Sequence, residues 1–120
     1  MATIKRFQDL DVWQKSHQLV LEAYRVTRDF PGEERYGLTS QMHRAAVSVP
    51  ANIAEGFKRR GNAEKIRFYN ISEASLEELK YFLIRFQDLG YIADAADLMN
   101  DAEVISRMLN GLIRSIGSRK

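Results

Sequence analysis

Two kinds of side-chain cluster in this sequence could do chemistry, one acidic and one basic. The acidic one is Glu73, Glu77 and Glu78. Two close carboxylates can divide the acid and base roles of a hydrolysis when their environments push their pKa values apart. Such a pair needs a nucleophile to activate or a substrate cradle to serve. Ser75 has no histidine near it in sequence, and no glycine-rich loop adjoins the glutamates. Glu77 and Glu78 therefore read as helix-surface or interhelical partners of cations. The chain has no cysteine, which removes thiolate nucleophiles, thiolate metal sites and disulfides. His17 and His43 are the only histidines, and a metal centre built on them would need further ligands. The expectation is no catalytic residue, no metal, no other cofactor and no small-molecule substrate: the chain is not an enzyme.

The basic cluster is Lys58, Arg59, Arg60, Lys65 and Arg67, around a turn marked by Gly61-Asn62. Cations so grouped at a helix–helix turn can hold phosphates, helped by free amides at the start of the following helix. Glu64 dilutes the charge, and a solvated turn is the competing reading. A second stripe, Gln41, Arg44, Ser48, Asn52, Glu55 and Arg59, recurs every three or four residues and so shares one helical face. Small neighbours, Ala45, Ala51, Ala54 and Gly56, would let another helix come close. The stripe reads either as a solvated face or as an oligomer or interhelix seam in which Arg44 and Glu55 meet charges across the contact.

The elements that must position these clusters are helical throughout. Val12, Leu19, Val20, Ala23, Val26, Thr27 and Phe30, with Ser16, predict a first helix that Asp11 caps and Pro31-Gly32 ends. Met42, Ala46, Val49, Ile53 and Phe57 predict a second from Leu38 or Thr39 to about Arg59. Pro50 sits inside it, lacking an amide and crowding the carbonyl of Ala46. The stripe keeps its phase across Pro50, which predicts one helix kinked there rather than two. Asn62 is expected to cap a third helix, Ala63 to Leu89, with Gly90 as its stop. Asp94 is expected to cap a fourth, carrying Leu98, Ala102, Ile105, Leu109, Leu112 and Ile116. The expected fold is an all-α, antiparallel, up-down-up-down four-helix bundle in a single domain over residues 1–120. Residues 1–10 form a lead-in segment and 117–120 a frayed tail.

Composition agrees. The chain has 120 residues, only nine of them Gly or Pro, 45% hydrophobic and 28% charged. Net charge is +2, with the basic excess in the first sixty residues, which hold ten cations against seven carboxylates. No apolar run near the start resembles a signal peptide, and none reaches the about twenty residues of a membrane span. Cytoplasm, with no membrane partner, is the expected location. The Arg…His pair of HEPN-type helical ribonucleases is missing, because Arg35 and His43 are separated by seven residues. Asn70-Ile71-Ser72 matches a glycosylation triplet by chance, inside an expected helix.

Longer stretches carry a family resemblance. Phe7-Gln8-Asp9-Leu10-Asp11-Val12-Trp13-Gln14-Lys15-Ser16, then Phe30-Pro31 and Tyr36-Gly37-Leu38-Thr39-Ser40-Gln41, match its opening and first loop. Its most specific signature resembles the run from Arg44 to Gly56, Arg-Ala-Ala-Val-Ser-Val-Pro-Ala-Asn-Ile-Ala-Glu-Gly. Ser75-Leu76-Glu77-Glu78-Leu79 and Asp88-Leu89-Gly90-Tyr91 match later motifs. The chain thus resembles the bacterial four-helix bundle proteins, or 23S rRNA intervening-sequence proteins, which are similar to the accessory variability determinant of diversity-generating retroelements. The resemblance implies a cytoplasmic bundle assembled as a ring-like homopentamer, without known catalysis. It also implies RNA, DNA or a reverse transcriptase as partners. Ala74 stands where the family often has glycine. His43 stands where a second arginine often precedes Arg44, at the cost of one cation. Two functions follow: a homo-oligomeric scaffold for nucleic acid or a nucleic-acid-processing partner, or a structural protein–protein assembly module with no nucleic-acid role. Without a strand platform for stacking or helix-turn-helix spacing, any nucleic-acid contact is expected to be electrostatic rather than base-specific.

Overall fold

The computed structural model describes residues 3–118. Four helices follow one another: α1 (Asp11–Thr27), α2 (Leu38–Lys58), α3 (Asn62–Asp88) and α4 (Ala96–Gly117). Short 3-10 turns at Phe7–Asp9 and Gly32–Glu34 precede α1 and α2, and there is no strand among the described residues. The protein is an all-α four-helix bundle. Each helix packs on its neighbours in the chain and α4 closes against α1, while the diagonal pairs stay apart, giving a four-cornered cross-section. Bonds between helices give their directions. Going up α3, Lys65 reaches Phe57, Ser72 reaches Val49 and Ser75 reaches Ser48, so α2 and α3 are antiparallel. Lys80 to Glu103 and Gln87 to Ala95 show the same for α3 and α4.

The helices form where the apolar spacing predicts. Val12, Ser16, Leu19 and Ala23 of α1 meet Met42, Ala46, Val49 and Ile53 of α2 in one core with Tyr69, Leu76, Leu79, Leu83 and Phe86 of α3 and Leu98, Ala102, Ile105, Leu109 and Ile116 of α4. Leu112, expected on that stripe, is only half-buried. Polar members of the stripes are satisfied locally. Ser16 donates to the Val12 carbonyl at 2.7 Å and Thr27 to that of Ala23 at 3.0 Å. α2 is one helix through Pro50. Beside the proline, Ser72 of α3 donates to the Val49 carbonyl at 2.8 Å, which explains a serine in an apolar stripe.

Three expected caps are displaced by one residue. Asp11 is the first residue of α1 and Leu10 its N-cap. The carboxylate that caps is Asp9, which accepts the amides of Lys5 and Arg6 at 3.2 Å each and closes the 3-10 turn. Asn62 is likewise inside α3, with Gly61 at the N-cap. Asp94 precedes the Ala95 N-cap of α4, although its carboxylate does accept the Ala96 amide at 2.9 Å. Gly90 is the stop expected. At φ +79° it takes the left-handed conformation that side chains resist. The amides of Gly90 and Tyr91 return to the carbonyls of Gln87 and Phe86, a Schellman closure. α4 extends through Gly117, so the expected tail begins a residue later, and Arg119 and Lys120 lie outside the described residues.

Candidate functional site

The α2–α3 turn gathers the five expected cations at one end of the bundle, but it uses them differently. Gly56, in the last turn of α2, lets α3 approach: a Cβ there would stand 2.7 Å from Tyr69 Cε1 and 3.1 Å from Phe68 Cβ. Tyr69 is thereby buried, and Phe68 is left half-buried at the rim. Lys65 Nζ donates to the carbonyls of Phe57 at 2.7 Å and Gly56 at 3.3 Å. It caps the C-terminus of α2, where the helix dipole favours a cation. Arg59 pairs with Glu55 at 3.2 Å and lies over the Phe68 ring, 4.6 Å from its centroid. Arg67 pairs with Glu64 at 3.4 Å and lies 5.2 Å from the same centroid. Lys58 and Arg60 are exposed and have no carboxylate partner among the described residues. The turn therefore carries five cations against two carboxylates: Arg59 and Arg67 are paired with these, Lys65 is bonded to carbonyls of α2, and Lys58 and Arg60 remain without a carboxylate among the described residues.

The polar stripe of α2 divides. Ser48 is bonded to α3, where Ser75 Oγ donates to its Oγ at 2.8 Å, while Asn52 stays on α2, its Nδ2 donating to the Ser48 carbonyl and hydroxyl at 2.8 and 2.9 Å. Gln41, Arg44 and Glu55 are exposed. Of the small neighbours, Ala45 and Gly56 are buried within the protomer, so part of the small-residue pattern serves the α2–α3 contact. Toward α1, the stripe borders an open groove of about 650 Å³ lined by Tyr24, Arg35, Tyr36, His43, Arg44 and Val47. Tyr36 is 90% exposed and Val47 41%.

The histidines and glutamates do not converge. His43 stacks on Tyr24 at 3.8 Å between centroids and shares a 2.7 Å hydrogen bond with Thr27 Oγ1; burial pushes its pKa down. His17 stacks on Trp13 at 5.1 Å. No three His, Asp or Glu side chains among the described residues are placed to hold a metal ion. Glu77 pairs with Lys80 on its own helix, and Glu103 of α4 reaches the same ammonium, each at 2.6 Å. Burial works against the Lys80 charge, but the hydrogen bonds from its ammonium to Glu103 and Glu77 prevail and raise its pKa. The hydroxyls on that stretch of α3 are engaged elsewhere, Ser72 with the Val49 carbonyl and Ser75 with Ser48. No helix among the described residues is long and apolar enough to cross a membrane.

Sequence reasoning missed the rings under the cations. Phe57 and Phe68 flank the basic run at the right distance to be met by it, and that interleaving was the available signal. It also missed that Lys65, expected among the phosphate-binding cations, caps α2, because a bond back across a turn is invisible to a charge count.

The bundle is similar to a crystallised protein of unknown function from the S23 ribosomal protein family of Bacteroides thetaiotaomicron. That protein is 23% identical, with a TM-score of 0.76 over 85% of this chain and 97% of the other. The likeness is one of fold. No curated protein matches the chain. The sequence from residue 8 to residue 111 matches the family described as 23S rRNA-intervening sequence protein, spanning α1 to most of α4, and the chain belongs to that family.

Proposed function

We propose that this protein is a non-enzymatic, cytoplasmic, homo-oligomeric scaffold, a pentamer, that binds nucleic acid at the α2–α3 end. The observation that carries the reading is the cation cluster at that turn, with Lys58 and Arg60 free of carboxylates among the described residues. One cluster on a chain of net charge +2 binds weakly. Repeated around a ring, the clusters act together, because a polyanion held by one is at high effective concentration for the next. Oligomerisation thus turns a marginal patch into a usable one. The test pairs light scattering with binding of a labelled RNA across a salt series. The expected result is a mass several times that of one chain, and an affinity falling steeply with salt as condensed ions are released. A monomer at micromolar concentration with no salt-dependent binding would overturn it.

A second reading, protein–protein assembly with no nucleic acid, draws on the α1–α2 groove. Tyr36 and Val47 offer apolar surface there beside Arg44. Oligomers that form normally and ignore RNA at low salt would favour it.

A further inference from the structure

At the α2–α3 turn, two guanidinium groups share one aromatic ring. Arg59 Cζ lies 4.6 Å and Arg67 Cζ 5.2 Å from the centroid of Phe68, so the two cations stand within about 10 Å of each other. Each is held a second time by a carboxylate, Glu55 for Arg59 and Glu64 for Arg67. The ring they share is half-buried, next to the buried Tyr69, and its Cβ lies close to Gly56. Yet Arg59 and Arg67 keep 45% and 62% of their side-chain surface open to solvent. An ordinary surface arginine loses rotamer freedom when it binds a ligand. These two are ordered beforehand. Their charge is answered by glutamate, and what they offer outward is a flat, weakly hydrated cation.

That surface suits a base better than a phosphate. Guanidinium planes stack on unpaired bases, and stacking tolerates any base because every base has a π-face. Lys58 and Arg60, with no carboxylate partner among the described residues, are the ones left for the phosphates beside it. In a duplex the base faces are covered by their neighbours and only phosphates are on offer. We infer that Arg59, Phe68 and Arg67 form a seat for unpaired bases, so that the protein takes single-stranded nucleic acid in preference to duplex. The inference rests on the nucleic-acid reading above and adds the strandedness of the ligand.

The test compares two RNA probes by fluorescence anisotropy at one salt concentration. One is an unstructured single strand, the other the same strand annealed to its complement. The single strand should bind about tenfold more tightly. Phe68→Leu should remove that margin while leaving duplex affinity and oligomeric mass in place. The double variant Arg59→Lys with Arg67→Lys keeps the charge and loses the planes, so it should do the same without touching the ring's packing. Equal parental binding of both probes would discard the seat and leave the nucleic-acid reading standing. A preference unchanged in both variants would also discard the seat. Failure of the parent to bind either probe at low salt would remove the reading and the inference together.

Discussion

The two ends of α3 use the same residue types for opposite purposes. At its C-terminal end, aromatic rings pack on one another: Phe30 meets Phe86 edge-on at 4.6 Å, and Tyr91 lies 5.2 Å from Phe30. Polar groups there close the turn, with Tyr91 donating to Glu34 at 2.8 Å and Gln87 accepting the Ala95 amide. At its N-terminal end, Phe57 and Phe68 instead lie beneath Lys65, Arg59 and Arg67. One end completes the core. The other presents charge on a rigid base. Burying a ring among rings draws on apolar surface removed from water, whereas a ring under exposed cations adds little stability and much order to the cations. A substitution should therefore cost stability at the first end and ligand affinity at the second.

The largest effect expected is at the core-closing end. Phe86 is fully buried, and Phe86→Ala should destabilise the fold by about 3–5 kcal/mol, read by urea unfolding. A destabilisation no larger than that of a surface substitution would mean that the ring cluster does not close the core.

Gly56→Ala sharpens the boundary between the two ends. The new methyl meets the buried Tyr69 ring at 2.7 Å. The strain outweighs the gain in helix propensity, for a net destabilisation of about 1–2 kcal/mol. It should also shift Phe68, so nucleic-acid affinity should fall with stability here, which Phe86→Ala does not require. Gly90→Ala, at φ +79° with open space around it, should cost about 1 kcal/mol from backbone strain alone and leave binding untouched.

The smallest effect is a pH dependence. The hydrogen bond from Tyr91 to Glu34 stabilises the protonated phenol and raises its pKa above the usual value near 10. A group whose pKa is raised by folding contributes stability below its unfolded pKa, and that contribution fades as pH climbs through the folded value. Melting temperature should thus fall above about pH 10, and fall less in Tyr91→Phe. Identical alkaline profiles would show that the bond carries no linkage.

Much of this fold is legible in the sequence because its signal is periodic. Met42, Ala46, Val49 and Ile53 keep helical phase across Pro50, and α2 is one helix there. Gly90 stops α3 because no other residue suits its conformation as well. The caps are less legible. Asp9 and Asp11 are both good cap residues two positions apart, and the 3-10 turn at Phe7–Asp9, which takes the Asp9 carboxylate for its own amides, is what the apolar spacing does not reveal. The site is partly legible for a related reason. A charge count finds Lys58, Arg59, Arg60, Lys65 and Arg67 together, but not which of them already have partners. Lys65 serves the end of α2, and Arg59 and Arg67 are tied to glutamates one helical turn away. Ser48 and Asn52 read in sequence as part of an oligomer or interhelix seam or of a solvated face, and the spacing alone does not tell that Ser48 bonds Ser75 of α3 while Asn52 bonds Ser48.

The claim that the α2–α3 end is the working end is tested most directly by its salt dependence. Binding of a labelled RNA would be followed across a salt series for the parent and for Lys58→Ala with Arg60→Ala, two exposed cations of this turn that have no carboxylate partner among the described residues. Neither side chain supports the core, so the melting temperature and oligomeric mass should hold. The slope of log affinity against log salt should flatten by about one for each phosphate no longer neutralised, with weaker binding to every sequence alike. A double variant that keeps the parental slope and affinity while remaining folded and oligomeric would place the binding surface elsewhere.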